Sequence, residues 1–107
     1  MIGAVCLANT LRKMHRYDEV LSFAPAQITA CQRVFGTEHE NTLFLQSISA
    51  EALYAYPGAS LADRAKAEAN LVDVSRIARR VLGASHPRTR DYEDTLNFMR
   101  LGEPVDI

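Results

Sequence analysis

The chain has no tryptophan, two cysteines in 107 residues and almost no net charge, with 12 Lys and Arg against 13 Asp and Glu. Each shortage excludes something. A near-neutral chain exerts no global field on nucleic acid or on an anionic membrane. No run approaches the roughly 18 uninterrupted apolar residues that a membrane span needs. The apolar opening Met1 to Ala8 lacks a basic leader and runs straight into Asn9-Thr10-Leu11-Arg12-Lys13, which makes a poor signal peptide. Cys6 and Cys31 are too few for a disulfide framework, and neither has a partner at C-x-x-C or H-x-x-x-H spacing, so no metal site is expected. Reduced thiols and a cytoplasmic setting are the expectation. The chain also lacks a nucleophile elbow and a phosphate loop, and nothing fixes a catalytic geometry for His15 with Cys6 or Asp18. Neither enzymatic activity nor a cofactor is expected.

What the chain does have is a segment that occurs twice. Arg33 to Thr42 returns as Arg80 to Thr89, and both copies read Arg-Val-apolar-Gly-x-x-His-x-x-Thr, offset by 83 − 36 = 47 residues. Self-similarity at such a period is the signature of a repeat architecture, and repeats usually build binding surfaces. Length allows one domain, and 48% hydrophobic with 23% charged residues is ordinary for a globular chain.

Hydrophobic periodicity reads as helix throughout. Ala67, Leu71, Val74, Ala78 and Val81 fall at steps of four and three, one stripe of a long helix. Subtracting 47 gives Val20, Ala24, Gln27, Cys31 and Val34, with Gln27 the one polar lapse. The self-match therefore predicts Cys31 over Ala78 and Val34 over Val81, all buried, with Val81→Ala costing about 1–3 kcal/mol. Both long helices should end at a glycine, Gly36 or Gly83, where a left-handed residue carries no steric penalty. Leu43, Phe44, Leu45, Ile48, Ala52, Leu53 and Tyr54 spread around a helix sandwiched between neighbours, whereas Tyr92, Leu96 and Met99 make one stripe of a helix with a wet face. Val5, Leu7, Ala8 and Leu11 mark a first helix. The spacing predicts five helices, at about 3–14, 17–35, 40–55, 61–82 and 88–101. Ser60 with Asp63 resembles a capping box, and Pro25 should bend or split the second helix.

Arg16-Tyr17-Asp18-Glu19-Val20, followed by Gly36, resembles a tetratricopeptide repeat, and more specifically the extended repeats of kinesin light chains. Those repeats join helical hairpins through a Val-Leu-Gly-x-x-His-Pro-x-Thr junction, which Val81 to Thr89 matches at every specified position. Val34 to Thr42 matches with Phe35 for leucine and Glu40 for proline. The resemblance covers nearly the whole chain and implies an all-α, α-α superhelix of stacked antiparallel hairpins: a first hairpin over about 3–35, a second over about 40–82 and a terminal helix over about 88–101. The family's groove-lining Leu-Asn-Asn-Leu-Ala becomes Ala4-Val5-Cys6-Leu7-Ala8, Gln46-Ser47-Ile48-Ser49-Ala50 and Glu93-Asp94-Thr95-Leu96-Asn97, so its asparagine pair is lost.

Candidate residues divide accordingly. His39 and His86 start helices, where a side chain accepts a backbone N–H and Pro87 fills the first helical position. Cys6 and Cys31 lie on apolar stripes, as structural thiols do. The arginines from Arg76 to Arg90 read as a solvated face with a dipole role. The resemblance makes the first helix of each hairpin line a concave surface that includes Asn9, Lys13, Ser47, Glu51, Tyr54, Asp94 and Phe98. That groove is expected to bind a protein partner, as a short peptide or helix, with Tyr54 and Phe98 as anchors and Tyr54→Ala weakening binding by about 1–2 kcal/mol. The alternative is a structural or dimerising fragment of a larger repeat protein, because two and a half hairpins fall short of the three repeats usually needed.

Overall fold

The computed structural model describes residues 2–101, with the side chains of Leu7 and of residues 9–100. Five helices follow one another: α1 (Ile2–Lys13), α2 (Tyr17–Phe35), α3 (Glu40–Ala55), α4 (Leu61–Val81) and α5 (Pro87–Leu101). Each boundary lies within a residue or so of the sequence expectation, and the described residues contain no strand.

Local chemistry accounts for the ends. Gly36 has φ 91° and ψ 171°, a region open essentially to glycine alone, and Gly83 has φ 99°. No atom lies within 4 Å of a Cβ built at either position, so conformation and not space selects glycine. His39 Nδ1 accepts the Asn41 N–H at 3.0 Å, and His86 Nδ1 accepts the Arg88 N–H at 3.1 Å. The two histidines thus cap α3 and α5. Thr42, wholly buried, donates its hydroxyl to the Gly36 carbonyl at 3.0 Å and ties the new helix back to the old one. In the second copy the Gly83 carbonyl instead accepts the His86 N–H at 3.2 Å. Ser60 and Asp63 form the reciprocal capping box of α4. The α1 terminus uses His15 at φ 58°, where a glycine would be usual, with Arg16 N–H bonded to the Leu11 carbonyl at 2.9 Å. Pro25 does not split α2, which runs unbroken across it.

The helices stack in two layers. α2 packs on α1 and α3, α4 packs on α3 and α5, and α3 also touches α1 and α5. Among the described residues α2 and α4 do not meet. So α1, α3 and α5 share one face, and α2 and α4 the other. Two cores result. Leu11, Val20, Ala24, Cys31, Leu45, Ile48 and Ala52 form one, between α1, α2 and α3. Leu43, Ala50, Ala67, Leu71, Val74, Ala78, Tyr92, Leu96 and Met99 form the other, between α3, α4 and α5.

The stripe expectation needs one correction, and it falls at the same place in both copies. Cys31 and Ala78 are wholly buried, but Val34 is 64% and Val81 44% exposed. Steps of four and three average 3.5 residues per turn against the helix's 3.6, a drift of roughly 20° per heptad. Two heptads rotate the last valine out of a seam that the first four residues occupy. Leu7 is also exposed, while Val5, Cys6 and Ala8 lie outside the described side chains.

Two outcomes follow from this packing. Leu71→Ala is expected to lose about 2–5 kcal/mol in urea unfolding, because Leu71 is fully buried, whereas Val81→Ala stays within about 0.5 kcal/mol. Asp63 accepts from the Ser60 N–H and from the Tyr56 hydroxyl, and those bonds hold its carboxyl below the ordinary carboxylate value. A lowered folded value means stability that is complete above the unfolded value, near pH 3.9, and lost as pH falls through the folded one. The stability gap between wild type and Asp63→Asn should therefore shrink in acid. A gap that stays constant between neutrality and pH 2.5 would contradict this.

Candidate functional site

A cleft of about 320 Å³ crosses the shared face of α1, α3 and α5. Arg12 enters from the last turn of α1. Phe44, Ser47, Ile48 and Glu51 come from α3, where steps of three and four set them on one strip, and Leu71 reaches in from α4. Arg88, Asp91, Tyr92, Asp94 and Thr95 come from α5.

Two arginines brace this cleft from opposite ends. Arg12 donates to Asn9 Oδ1 at 2.7 Å and to Glu51 Oε1 at 3.2 Å. Arg88 pairs with Glu40 at 3.2 Å and lays its guanidinium 3.7 Å over the Phe44 ring. Between them lies Tyr92, only 3% exposed, whose hydroxyl sits beside Ser47 and Arg88 but meets neither at hydrogen-bonding geometry. Ser47 sends its own proton to the Phe44 carbonyl at 2.7 Å. Burial pushes the Tyr92 hydroxyl above its ordinary value, with Arg88 opposing, so it remains a neutral donor.

Five buried side-chain polar atoms among the described residues have no partner, and three of them belong to residues lining this cleft: Arg12 Nε, Arg88 Nη1 and Tyr92 Oη. An arginine nitrogen can only donate, and a tyrosine hydroxyl can donate. At its edge Asp91 and Asp94 are exposed and take part in no ion pair among the described residues.

Of the residues singled out in the sequence, Ser47, Glu51 and Asp94 line this cleft, and Asn9 reaches it through Arg12. Lys13, Tyr54 and Phe98 do not line it. Lys13 is exposed at the end of α1 and Phe98 is 48% exposed. Tyr54 is half-buried against the second core, its hydroxyl 3.4 Å from the Met99 carbonyl and its ring 5.2 Å from the Arg64 guanidinium. Sequence reading missed Arg12, Asp91 and Thr95, took Tyr92 for core alone, and took Arg88 for a solvated face with a dipole role, whereas Arg88 lies in the first turn of α5, paired with Glu40 and lining the cleft. The i, i+3, i+4, i+7 spacing of 88, 91, 92 and 95 was the signal that places them on one face of a helix.

The other candidates have structural occupations. Arg76 pairs with Asp73, Arg79 with Glu93 and Arg80 with Glu38, so the basic run on α4 is neutralised pair by pair. Cys31 is wholly buried, and burial raises its thiol. The described residues contain no group of three His, Cys, Asp or Glu able to hold a metal, and no helix long and apolar enough to cross a membrane. No family model matches the chain, and no curated protein or solved structure matches it.

Tyr92→Phe removes a buried hydroxyl that satisfies nothing in the fold. It should leave stability unchanged or raise it by up to about 1 kcal/mol. A loss of 1 kcal/mol or more in chemical denaturation would show that the hydroxyl has a structural partner.

Proposed function

We propose that this chain is a protein–protein interaction module, a tetratricopeptide-like scaffold of the kinesin light chain kind that binds a peptide or partner helix on its α1–α3–α5 face. The carrying observation is the half-open cleft of about 320 Å³ that α1, α3 and α5 form between them, with Arg12, Ser47, Glu51, Arg88, Asp91 and Asp94 in its lining. A peptide main chain supplies acceptor oxygens at regular intervals, and a half-open cleft spanning three helices suits an extended or helical segment. The capped junctions at His39 and His86 and the left-handed glycines support the scaffold part of the reading. The reading involves neither catalysis nor a cofactor, and it sets the protein in the cytoplasm, in keeping with its low cysteine content. Panning a phage-displayed library of random dodecapeptides on the immobilised chain tests it. Selected peptides should bind Thr95→Trp, which fills the cleft from a half-exposed position, at least about tenfold more weakly at an unchanged melting temperature. Binding that survives Thr95→Trp would place the site elsewhere.

A second reading, a dimerising or structural fragment of a larger repeat protein, has its own observation. A shallow apolar recess lined by Leu7, Leu11 and Phe23 opens on the α1–α2 side, with Leu7 46% exposed. Sedimentation equilibrium that finds a dimer, and a monomer after Leu7→Arg, would favour it.

A further inference from the structure

We infer that α5 is an end cap of the helical stack: its outer side is made for water and offers no seat to a further hairpin. This follows from the side chains of α5, not from where the sequence stops. Its ground is the 47-residue register and not the peptide-binding reading, so the two stand or fall separately. Thr42 and Thr89 fix that register in space, since each is the third residue of its helix and each is wholly buried. Adding 47 to a residue of α3 therefore names its counterpart on α5.

Three sides of α3 can be followed in this way. The side buried against α1 and α2 carries Leu45, Ile48 and Ala52. Their counterparts Tyr92, Thr95 and Met99 are buried or half-buried in turn. The strip at the cleft, Phe44, Ser47 and Glu51, becomes Asp91, Asp94 and Phe98, which sets the exposed Phe98 on the cleft side. The side on which α3 receives α4 carries Leu43 and Ala50, both buried, with Leu53 packed against them. There the counterparts are Arg90, Asn97 and Arg100, and all three are exposed. Leu101, the counterpart of Tyr54, lies outside the described side chains.

The apolar seat of α4 has thus become two guanidinium groups and an amide. A helix docking on α5 as α4 docks on α3 would strip water from both cations, and burying an unpaired charge costs far more than an apolar contact returns. Arg100 is also turned back to Glu68 of α4, 3.5 Å away, so it belongs to the hairpin before it. Stacked repeats need a polar outer side of this kind wherever stacking stops.

Extending the chain tests the cap. In one protein, residues 56–107 are repeated after Gly102, which places a second α4 and α5 in register behind the first α5. A second protein carries the same extension with Arg90→Leu/Asn97→Ala/Arg100→Leu, which gives α5 the outer side of α3. In urea the wild-type extension should unfold with the m-value of the unextended chain, and limited trypsin digestion should remove the added residues first. The substituted extension should unfold as one unit with an m-value about 1.4-fold larger, in proportion to its added length. A wild-type extension that shows the larger m-value and resists trypsin would overturn the cap, and it decides the matter alone if the substituted chain does not fold. A folded substituted extension whose added residues still stay apart would overturn it too, because those three side chains would not be what bars the seat.

Discussion

Helix α3 is buried on two opposite sides at once, and the rest of the molecule is arranged around that fact. Leu45, Ile48 and Ala52 enter the core with α1 and α2, and Leu43 and Ala50 enter the core with α4 and α5. Neither core closes without it. A helix with two buried faces cannot also carry a broad polar face, which is why 43 to 54 reads as apolar around most of the circumference. One strip of α3, Phe44, Ser47 and Glu51, faces the cleft at the spacing of successive turns. That strip is the centre of the cleft. The cleft is thus set by packing: α1 and α5 flank the edge of α3 that carries Phe44, Ser47 and Glu51.

How much of this was legible in the sequence depends on the range of the interaction concerned. The junctions were legible almost to the atom, because everything that decides them lies within a few residues: a glycine whose φ no other residue adopts readily, a histidine two residues before the N–H it accepts, a serine and aspartate three apart. The stripes were legible for as long as a 3.5-residue period tracks a 3.6-residue helix, and they failed at Val34 and Val81, where it no longer does. Both valines fail together, so the error itself keeps the 47-residue register. The cleft was legible only where α3 and α5 present polar residues among apolar ones, as at Ser47, Glu51 and Asp94. Tyr54 could not be placed from its own helix, since its surroundings are Arg64 on α4 and the Met99 carbonyl on α5, 10 and 45 residues away in sequence.

Tyr92 shows why the remainder stayed hidden. Its ring belongs to the second core and its position on the Tyr92-Leu96-Met99 stripe says so, yet its hydroxyl ends beside Ser47 and Arg88. A sequence pattern reports the ring. Only the packing of α5 on α3 reports the oxygen. The same holds for the two arginines, whose roles come from Glu51 and Glu40, 39 and 48 residues distant in the chain.

The placement of Arg88 carries the argument one step further. It is the second residue of α5, and the first turn Pro87-Arg88-Thr89-Arg90 holds two arginines and no acid. A helix N-terminus disfavours cations by about 0.3–1 kcal/mol each, so local energetics would place a carboxylate there. Arg12, at the last turn of α1, stands where the dipole welcomes it. Arg88 stands against its dipole and is kept in place by Glu40, in the first turn of α3, and by the face of Phe44 one turn later. That bracing lies across the α3–α5 boundary and holds the guanidinium at the cleft with one nitrogen buried and unsatisfied. Sequences that specify one structure make local and tertiary preferences agree, and the positions where they disagree tend to be functional. Arg88 disagrees with its helix, and Tyr92 Oη disagrees with its core. Both disagreements fall on residues that line the same cleft, on the face that α1, α3 and α5 share.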